Sequence, residues 1–443
     1  MLFRQFVDDD LGCASYLIGC EAAGVAAVVD PAYAIEQYLE EAERREVRLV
    51  RVVETHTHAD HVSGHGRLAL EHGLPVSICS VAAVDYPHDP FDDGAEIELG
   101  NVTLRAIHTP GHRPEHTCVA VLDRTRAEEP WLLLTGDSLF VGDAARPDLA
   151  VGAKEGAEGL FHSLRRLLEL SDGVEVYPGH VAGSLCGKGM SSKASTTIGF
   201  ERRFNPALLI GELGAFVAES ASISAPKPPN MHRIVELNRG AFLGAGAEVP
   251  PVDSPGDAAV LDVRPVRDWL AGHLPGSLNV PVSGTSFATK AGFVLDHERP
   301  FVVAAASEEE AQRAIRGLRS VGLLAIAGRL PGAGPETSAG VTVDELDALL
   351  AQGAELIDVR EHDERDSGYI PGSRNIPYRL LAACDELPAG RPIVTICETG
   401  PRAAIAASIL VARGLDARPV VGGGIAAWQA SGKQTVEFRR CGS

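Results

Sequence analysis

The stretch Thr55-His56-Thr57-His58-Ala59-Asp60-His61 decides the fold of the amino-terminal half. It follows an apolar segment, residues 48–53, whose pattern predicts a buried strand. Imidazoles and a carboxylate placed where a strand gives way to a loop can converge on one point, and both groups bind metal ions. A single histidine is more often a hydrogen-bonded structural residue, but this spacing favours a metal site.

Further candidate ligands come later in the chain, and each directly follows a glycine. They are His112 in Thr109-Pro110-Gly111-His112, Asp137 in Thr135-Gly136-Asp137-Ser138 and His180 in Tyr177-Pro178-Gly179-His180. Apolar segments at residues 131–134 and 174–176 predict strands before the last two. Nine of the 15 histidines fall between residues 56 and 116, which strengthens the prediction of a metal site.

The spacing HxHxDH, followed by GH, GD and GH, resembles the metallo-β-lactamase superfamily over the whole of the predicted first domain. The resemblance implies an αββα sandwich with a metal site at one edge, between the two sheets. The superfamily pattern has two metal positions and a carboxylate between them: His56, His58 and His112; Asp60, His61 and His180; and Asp137.

Two chemistries stay open, because a shared fold does not fix the reaction. One is a dinuclear thioester hydrolase similar to glyoxalase II, in which a metal-activated hydroxide attacks a carbonyl. The other is a mononuclear iron persulfide dioxygenase, for which the resemblance assigns the iron to His56, His112 and Asp137. Two imidazoles and one carboxylate leave iron positions open for a persulfide sulfur and for dioxygen. The other four side chains would then orient ligands and hold water: His58, Asp60, His61 and His180.

Two further residues of the first domain are assigned to substrate binding. Residues 137–149 look like the corresponding segment of rhodanese-fused persulfide dioxygenases, and within them we interpret Arg146 as a substrate-binding or ligand-orienting residue. The alternative is a surface salt bridge from Arg146 to Asp143 or Asp148. Cys20 follows a predicted strand at residues 14–18 and could serve as an accessory thiol, although free cysteines are more often inert and buried.

The carboxyl-terminal half contains two copies of one pattern. Leu261-Asp262-Val263-Arg264 returns 96 residues later as Ile357-Asp358-Val359-Arg360. The nine-residue segment that starts at His273 returns at the same offset, starting at Tyr369. In each copy, short apolar strands alternate with amphipathic helices, which predicts parallel sheets with helices on both faces.

The last copy carries a cysteine at a strand end. Cys397-Glu398-Thr399-Gly400-Pro401-Arg402 follows the predicted strand and opens a helix, where proline suits the first turn. Backbone N–H groups, the helix start and Arg402 would stabilise a thiolate and a persulfide anion there. A small buried cysteine is the plainer interpretation. Together with the repeated segments, however, the loop resembles a rhodanese sulfurtransferase, which implies that Cys397 carries sulfane sulfur.

The middle copy resembles an inactive rhodanese domain. The strand alignment puts Ala305 where Cys397 stands in the last copy, and Glu310 where Arg402 stands. Both the nucleophile and the arginine are therefore missing from it.

Composition limits the function classes. The 443 residues include 40 Lys plus Arg against 60 Asp plus Glu, a net charge of −20, which argues against binding nucleic acid or anionic membranes. We find no apolar run of membrane-spanning length, and residues 1–10 do not read as a signal peptide. The eight cysteines form no CxxC pair, so we expect free thiols in the cytoplasm.

We therefore expect a multi-domain α/β protein: a metallo-β-lactamase-like dioxygenase domain at 1–243, an inactive rhodanese-like domain at 250–333 and an active rhodanese domain at 338–443. This order resembles persulfide dioxygenase–rhodanese fusions of bacterial sulfide detoxification. The resemblance implies one Fe(II) per chain, with O2 oxidising a low-molecular-weight thiol persulfide to sulfite. Cys397 would then pass sulfane sulfur to sulfite, giving thiosulfate. We also expect a homo-oligomer.

Overall fold

The structure is a computed structural model, and it describes residues 1–147, 152–181, 191–221, 227–387 and 390–437. The chain divides into two compact units, Met1–Gly246 with Arg319–Gly322 and Ala247–Leu318 with Leu323–Ser443. The second unit therefore contains both copies of the repeat, and the division into three domains stays a prediction. Within the described ranges, no helix combines the length and the apolar character needed to cross a membrane.

Two six-stranded sheets form the first unit, in the orders β1-β2-β3-β4-β5-β6 and β14-β13-β10-β9-β8-β7. The strands are β1 (Leu2–Val7), β2 (Ala14–Cys20), β3 (Val25–Val29), β4 (Arg48–Val53), β5 (Val76–Ile78), β6 (Asp89–Pro90), β7 (Glu96–Leu99), β8 (Val102–His108), β9 (Thr117–Asp123), β10 (Leu132–Gly136), β11 (Leu139–Phe140), β12 (Asp143–Ala144), β13 (Glu175–Pro178) and β14 (Thr196–Thr197). The helices are α1 (Glu36–Arg44), α2 (His65–His72), α3 (Ala153–Leu167), α4 (Ile198–Phe204), α5 (Pro206–Leu209), α6 (Leu213–Ser220) and α7 (Met231–Arg239).

The side chains of β9 show how the two sheets and the helices pack against one another. Every residue of β9 is buried, and neighbouring side chains point to opposite faces of the sheet. Val119 lies in one core with Val53 of the first sheet, whereas Ala120 lies in another with Leu160 of α3. A third core joins the first sheet to the outer helices around Tyr38 of α1. The first unit is thus the expected αββα sandwich.

Each copy of the repeat in the second unit has its own parallel four-stranded sheet, in the orders β16-β15-β17-β18 and β20-β19-β21-β22. The middle copy contains β15 (Ala259–Asp262), α8 (Val266–Ala271), β16 (Leu278–Asn279), α9 (Phe287–Val294), β17 (Phe301–Ala305), α10 (Glu308–Ser320) and β18 (Ile326–Pro331). The last copy contains α11 (Val343–Ala351), β19 (Glu355–Asp358), α12 (His362–Asp366), β20 (Arg374–Asn375), β21 (Ile393–Ile396), α13 (Pro401–Ala412), β22 (Ala417–Pro419) and α14 (Ile425–Ala430). The predicted multi-domain α/β class is confirmed.

The repeated Asp-Val-Arg segment has the same structural role in both copies. Arg264 pairs with Asp262 at 2.6 Å (Nη2 to Oδ2), and the Asn279 amide donates to the backbone carbonyls of both residues. The same contacts recur in the last copy between Asp358, Arg360 and Asn375. In each copy the buried aspartate carboxylate is neutralised by the arginine two residues later. The segment thereby fixes the turn after the first strand of each sheet.

Candidate metal centre and cysteine loop

The candidate metal ligands lie at the carboxyl ends of strands. His56 follows β4, Asp137 follows β10 and His180 follows β13, while His112 lies in the loop between β8 and β9. The strands of both sheets thus bring side chains from distant parts of the sequence to one edge of the sandwich.

The glycines before two of these residues are required by close packing. Gly136 has a φ of +45°, and an added Cβ would lie 2.7 Å from His116 Nε2 and 2.8 Å from Thr55 Oγ1. At Gly179, an added Cβ would lie 2.7 Å from Asp137 Oδ1. The Gly-Asp and Gly-His pairs of the sequence therefore reflect how closely the backbone approaches the site.

The structure brings His56, His112 and Asp137 together, with one ligand atom from each lying within 4.8 Å of the others. His112 Nε2 is 3.5 Å from Asp137 Oδ2. Among the described residues, His56 Nε2 and Asp137 Oδ2 are buried and have no hydrogen-bond partner. Because an unmatched buried polar atom is costly, two imidazoles and a carboxylate arranged in this way fit a metal ion.

Hydrogen bonds fix which nitrogen each imidazole offers. The Thr55 hydroxyl donates to Asp30 Oδ2 at 2.8 Å, so it must accept from His56 Nδ1 at 2.9 Å. His112 Nδ1 donates to the backbone carbonyl of Arg146 at 3.2 Å. Both rings therefore carry their proton on Nδ1 and leave the Nε2 lone pair for a metal.

Protonation states also suit metal binding. Burial lowers the pKa of His56, and it lowers the pKa of His112 although Asp137 opposes the shift. Burial alone would raise the pKa of Asp137, but His180 and His112 hold it well below its usual range. Neutral imidazoles and an ionised carboxylate are the forms that coordinate metals.

The His58 ring lies beside that of His56, with ring centroids 4.2 Å apart, but His58 groups with the buried carboxylates of Asp30 and Glu54 as a potential metal ligand. Its Nε2 is 3.2 Å from Asp30 Oδ1 and 3.2 Å from Glu54 Oε2. Burial opposes a charge on His58, but the two carboxylates raise its pKa well above the usual value. His58 Nδ1 and Nε2 are also buried without a hydrogen-bond partner among the described residues, but the side chains that Nε2 faces are the carboxylates of Asp30 and Glu54 and not the group of His56, His112 and Asp137.

The remaining candidates of the motif hold Asp137 in place. His180 Nδ1 lies 2.7 Å from Asp137 Oδ1, and His180 Nε2 lies 2.7 Å from Asp60 Oδ2. His61 Nδ1 contacts the other oxygen of Asp60 at 3.2 Å. The Cys13 thiol donates to Asp60 Oδ2 at 3.0 Å. The contacts thus run from Cys13 through Asp60 and His180 to Asp137.

Sequence reasoning missed several residues of this site. Cys13, Asp30 and Glu54 were not singled out, because nothing in the local sequence distinguishes them from core or turn residues. His116, whose Nε2 accepts from the Asp137 N–H at 2.9 Å, belongs to the histidine-rich stretch, which was the available signal. Burial lowers the pKa of His116 to about 3, so it remains a neutral acceptor.

The two residues predicted to bind substrate, Arg146 and Cys20, have different surroundings. Arg146 is buried, and Asp148 lies outside the described residues, so the choice between a substrate-binding residue and an ion pair to Asp143 or Asp148 stays a prediction. Its backbone carbonyl orients His112. Cys20 belongs to the core between the sheets, and Cys13 is the thiol beside the metal candidates. An accessory role for Cys20 stays a prediction.

In the last copy of the repeat, Cys397 follows β21 at the start of α13. The Gly400 N–H donates to Cys397 Sγ at 3.1 Å. Both terminal nitrogens of Arg402 donate to the carboxylate of Glu364 at 2.6 Å. Burial opposes the charge on Arg402, but Glu364 and then Cys397 raise its pKa above the usual value. The charge of Arg402 is therefore largely matched by Glu364.

The middle copy has a different loop at the same place. Asp262 pairs with Ala304 and Asp358 pairs with Ile396, so Ala305 and Cys397 follow at equivalent positions. The Ala306 N–H donates to Glu310 Oε2 at 2.6 Å. A carboxylate thus takes a backbone donor that an anion would need.

Comparison with known families matches two parts of the chain. Residues 8–180 match the metallo-beta-lactamase superfamily, and residues 342–431 match the rhodanese-like domain.

Individual proteins of several organisms are similar to this chain. The bovine protein "Persulfide dioxygenase ETHE1, mitochondrial" is 29% identical over 262 residues, which cover 57% of this chain and 91% of the bovine protein. An uncharacterized protein of Mycobacterium leprae is 30% identical over 235 residues, 47% of this chain and 99% of its own length. A crystal structure of a metallo-beta-lactamase from Staphylococcus aureus superposes with a TM-score of 0.69 at 28% identity, covering 74% of this chain and 99% of that one.

Proposed function

We propose that this chain, which belongs to the metallo-β-lactamase superfamily and carries a carboxyl-terminal rhodanese-like domain, is a mononuclear iron persulfide dioxygenase joined to a sulfurtransferase. The first reaction would be RSSH + O2 + H2O giving RSH, sulfite and two protons. The second would transfer a sulfane sulfur through Cys397 to sulfite, giving thiosulfate. The bovine relative named as a persulfide dioxygenase supports the first activity, and the rhodanese-like domain supports the second.

One observation carries the choice of a mononuclear site: His56, His112 and Asp137 converge, while His58 is held by two carboxylates. A dinuclear hydrolase similar to glyoxalase II would need a His58 nitrogen in the same ligand group as His56 and His112, but His58 groups with Asp30 and Glu54. The group of His56, His112 and Asp137 offers two imidazoles and one carboxylate, which is the pattern of non-haem iron oxygenases, and a third group combines Cys13, Asp60 and His61.

A bound ferrous ion would supply the redox chemistry that joins dioxygen to a persulfide sulfur, which zinc could not do. The protein's own residues prepare the site for it. Thr55 and the Arg146 carbonyl set the tautomers of His56 and His112. His180, held by Asp60, fixes one oxygen of Asp137 and leaves the other for the metal.

The loop of Cys397 suits sulfur transfer. The thiolate would attack the outer sulfur of a persulfide, the donor S–S bond would break, and the released thiolate would take a proton. The Gly400 N–H lies where it stabilises negative charge on the cysteine sulfur, at the start of α13. Sulfite would then attack the outer sulfur of the Cys397 persulfide, the S–S bond to Cys397 would break, and thiosulfate would leave as the Cys397 thiolate is regenerated.

The proposed dioxygenase is tested by metal analysis and oxygen uptake. The iron-loaded protein should hold one iron per chain and consume O2 with glutathione persulfide, forming sulfite. Two zinc-type ions per chain, with hydrolysis of S-lactoylglutathione in the absence of oxygen, would instead establish the thioester hydrolase.

The cellular setting follows from the proposed chemistry. We infer a cytoplasmic protein of sulfide detoxification whose partners are a thiol persulfide, sulfite and thiosulfate. The homo-oligomer stays a prediction, and so does the absence of nucleic-acid and membrane partners that the net charge of −20 suggests. Size-exclusion chromatography with light scattering measures the oligomeric state directly.

A further inference from the structure

The loop that carries the metal motif, residues 55–63, is held by a side chain from a distant part of the chain. Asn238, in the last turn of α7, is buried. Its Nδ2 donates to the backbone carbonyl of His58 at 3.0 Å and to that of His61 at 2.8 Å, and its Oδ1 accepts from the Ser63 N–H at 2.9 Å. One asparagine thus binds the backbone of this motif loop at three points.

A fourth contact comes from the end of α10. The Val62 N–H donates to the Ser320 carbonyl at 2.7 Å. Carbonyls in the last turn of a helix have no partner within the helix, so they are available to other segments. Ser320 is the last residue of α10 in the middle copy of the repeat, yet Arg319–Gly322 belong to the first compact unit.

The turn after α10 packs closely around this contact. Gly322 has a φ of +74°, which favours glycine, and an added Cβ would lie 3.2 Å from Leu237 Cδ1 and 3.7 Å from Val62 Cγ2. Immediately before it, the Val321 carbonyl accepts from Asn230 Nδ2 at 2.6 Å. The turn is therefore fixed against both α7 and the motif loop.

These partners lie outside the stretch that matches the superfamily, residues 8–180. Within that stretch, the start of the motif loop is held by Asp30, whose Oδ1 accepts from the Thr55 N–H at 2.7 Å. The sandwich thus fixes the beginning of the loop, whereas α7 and the turn after α10 fix its second half, residues 58–63.

The second half of the motif loop leads to a candidate metal ligand. Asp60 lies within the segment that Asn238 holds, and its Oδ2 is 2.7 Å from His180 Nε2. His180 Nδ1 is 2.7 Å from Asp137 Oδ1. A shift of the loop backbone would therefore move Asp60 and His180, and with them the oxygen that Asp137 turns toward a metal. Partners of this kind commonly change metal affinity about 10–100-fold when they are lost.

We propose that Asn238 and the turn after α10 are positioning elements of the metal centre. The middle copy of the repeat, which has no nucleophile, then serves the first reaction by holding the motif loop through Ser320 and Gly322. This inference rests on the proposed iron site at His56, His112 and Asp137.

The first test compares two buried asparagines in the full-length protein. Asn205→Ala is the matched control for Asn238→Ala, because Asn205 lies in the same unit and its side chain also makes three hydrogen bonds, to Asp143, Glu201 and Ala207. Both variants should lower Tm. Affinity for Fe(II), titrated at equilibrium without oxygen, should fall about tenfold or more for Asn238→Ala and stay within about twofold for Asn205→Ala. The visible absorption spectrum of the cobalt(II)-loaded protein, which reports ligand geometry, should change for Asn238→Ala alone.

A second pair of variants tests the contribution of the middle copy. Gly276 also lies in this copy and has a φ of +70°, but an added Cβ there would have no described atom within 4 Å. Gly276→Ala and Gly322→Ala therefore introduce the same backbone strain, and only Gly322→Ala presses on Leu237 and Val62. We expect Gly322→Ala to weaken Fe(II) binding several-fold and Gly276→Ala to leave it unchanged.

Two outcomes would overturn the inference while the proposed dioxygenase stands. If the two asparagine variants had equal affinities for Fe(II), whether both retained or both reduced, Asn238 would have no special effect on the metal. If Gly322→Ala bound Fe(II) as Gly276→Ala does, the middle copy would not position the motif loop. Failure of the proposed function is distinct, because the wild-type protein itself would then bind no iron that His56→Ala removes.

Discussion

Replacing either of two histidines of the same motif, His56 or His58, by alanine should have different effects on the protein. His56 Nε2 is buried, without a hydrogen-bond partner among the described residues, and converges with His112 and Asp137. His58 Nε2 is also buried without a hydrogen-bond partner among the described residues, but it lies 3.2 Å from the carboxylates of Asp30 and Glu54. His56→Ala should therefore remove iron, and His58→Ala should destabilise the fold.

The size of each effect follows from the contacts. A four-ligand zinc site binds with roughly 10–16 kcal/mol, so one ligand contributes about 2.5–4 kcal/mol, or roughly 10²–10³-fold in metal affinity. The iron affinity of His56→Ala should fall by that factor, and its O2 uptake should be lost. His58→Ala leaves two carboxylates buried without their cation, which costs about 3–5 kcal/mol. At about 2–4 °C per kcal/mol for a unit of this size, Tm should fall by about 6–20 °C.

Iron content at saturating iron and the Tm of the metal-free protein are measured on both variants. His232→Ala is the control, since the His232 side chain is 86% exposed on α7, and it should change neither quantity. We expect His58→Ala to retain close to one iron per chain despite its lower Tm. If His58→Ala lost metal as His56→Ala does, with Tm unchanged, then His58 would be a ligand and the mononuclear site would be wrong.

The remaining predictions concern the cysteine loop and the residues around the metal ligands. Cys397→Ser should leave O2 uptake intact and abolish thiosulfate formation; loss of both activities would contradict the division of labour between the domains. Thr55→Val removes the hydroxyl that accepts from His56 Nδ1, so iron affinity should fall about 10–100-fold by equilibrium titration, and an unchanged affinity would refute the tautomer assignment. Glu115, which accepts from Arg113 Nε at 2.7 Å, is buried; burial would raise its pKa, but Arg113 holds it below the ordinary value of 4.5. Its contribution to stability is therefore present above pH 4.5 and lost as the pH falls below it. Urea unfolding should show a steeper loss for wild type than for Glu115→Gln between about pH 5 and pH 3, and parallel curves would contradict this.

The placement of the ligands at strand ends could be predicted because it depends on local patterns. The apolar segment at residues 48–53 is β4, Arg48–Val53, and the helix expected after Cys397 is α13, Pro401–Ala412. Hydrophobic runs, glycines and a proline at a helix start are read from neighbouring residues. Parallel packing then brings the strand ends to one edge.

The directions of the polar side chains could not be predicted in the same way. His58 points to Asp30, which directly follows β3 and has a φ of +50°. Arg402 points to Glu364 of α12. These partners are distant in sequence, and nothing local marks them. Burial makes the pairing decisive, because a charge without a partner in the interior is costly. A motif therefore specifies which groups are present, while the packing of the fold specifies which are available for chemistry.

This pairing affects how anions are recognised at the cysteine loop. Persulfides and sulfite are negatively charged, and the chain as a whole carries a net charge of −20, so attraction must be local. Arg402 is already matched by Glu364, which leaves it little net charge to offer. Backbone N–H groups at the start of α13, such as that of Gly400, also stabilise an anion. They carry no full positive charge, so a neighbouring carboxylate does not neutralise them as Glu364 neutralises Arg402. Because such dipoles act at contact distance, the loop can stabilise the negatively charged sulfur of a cysteine persulfide even within a strongly acidic protein.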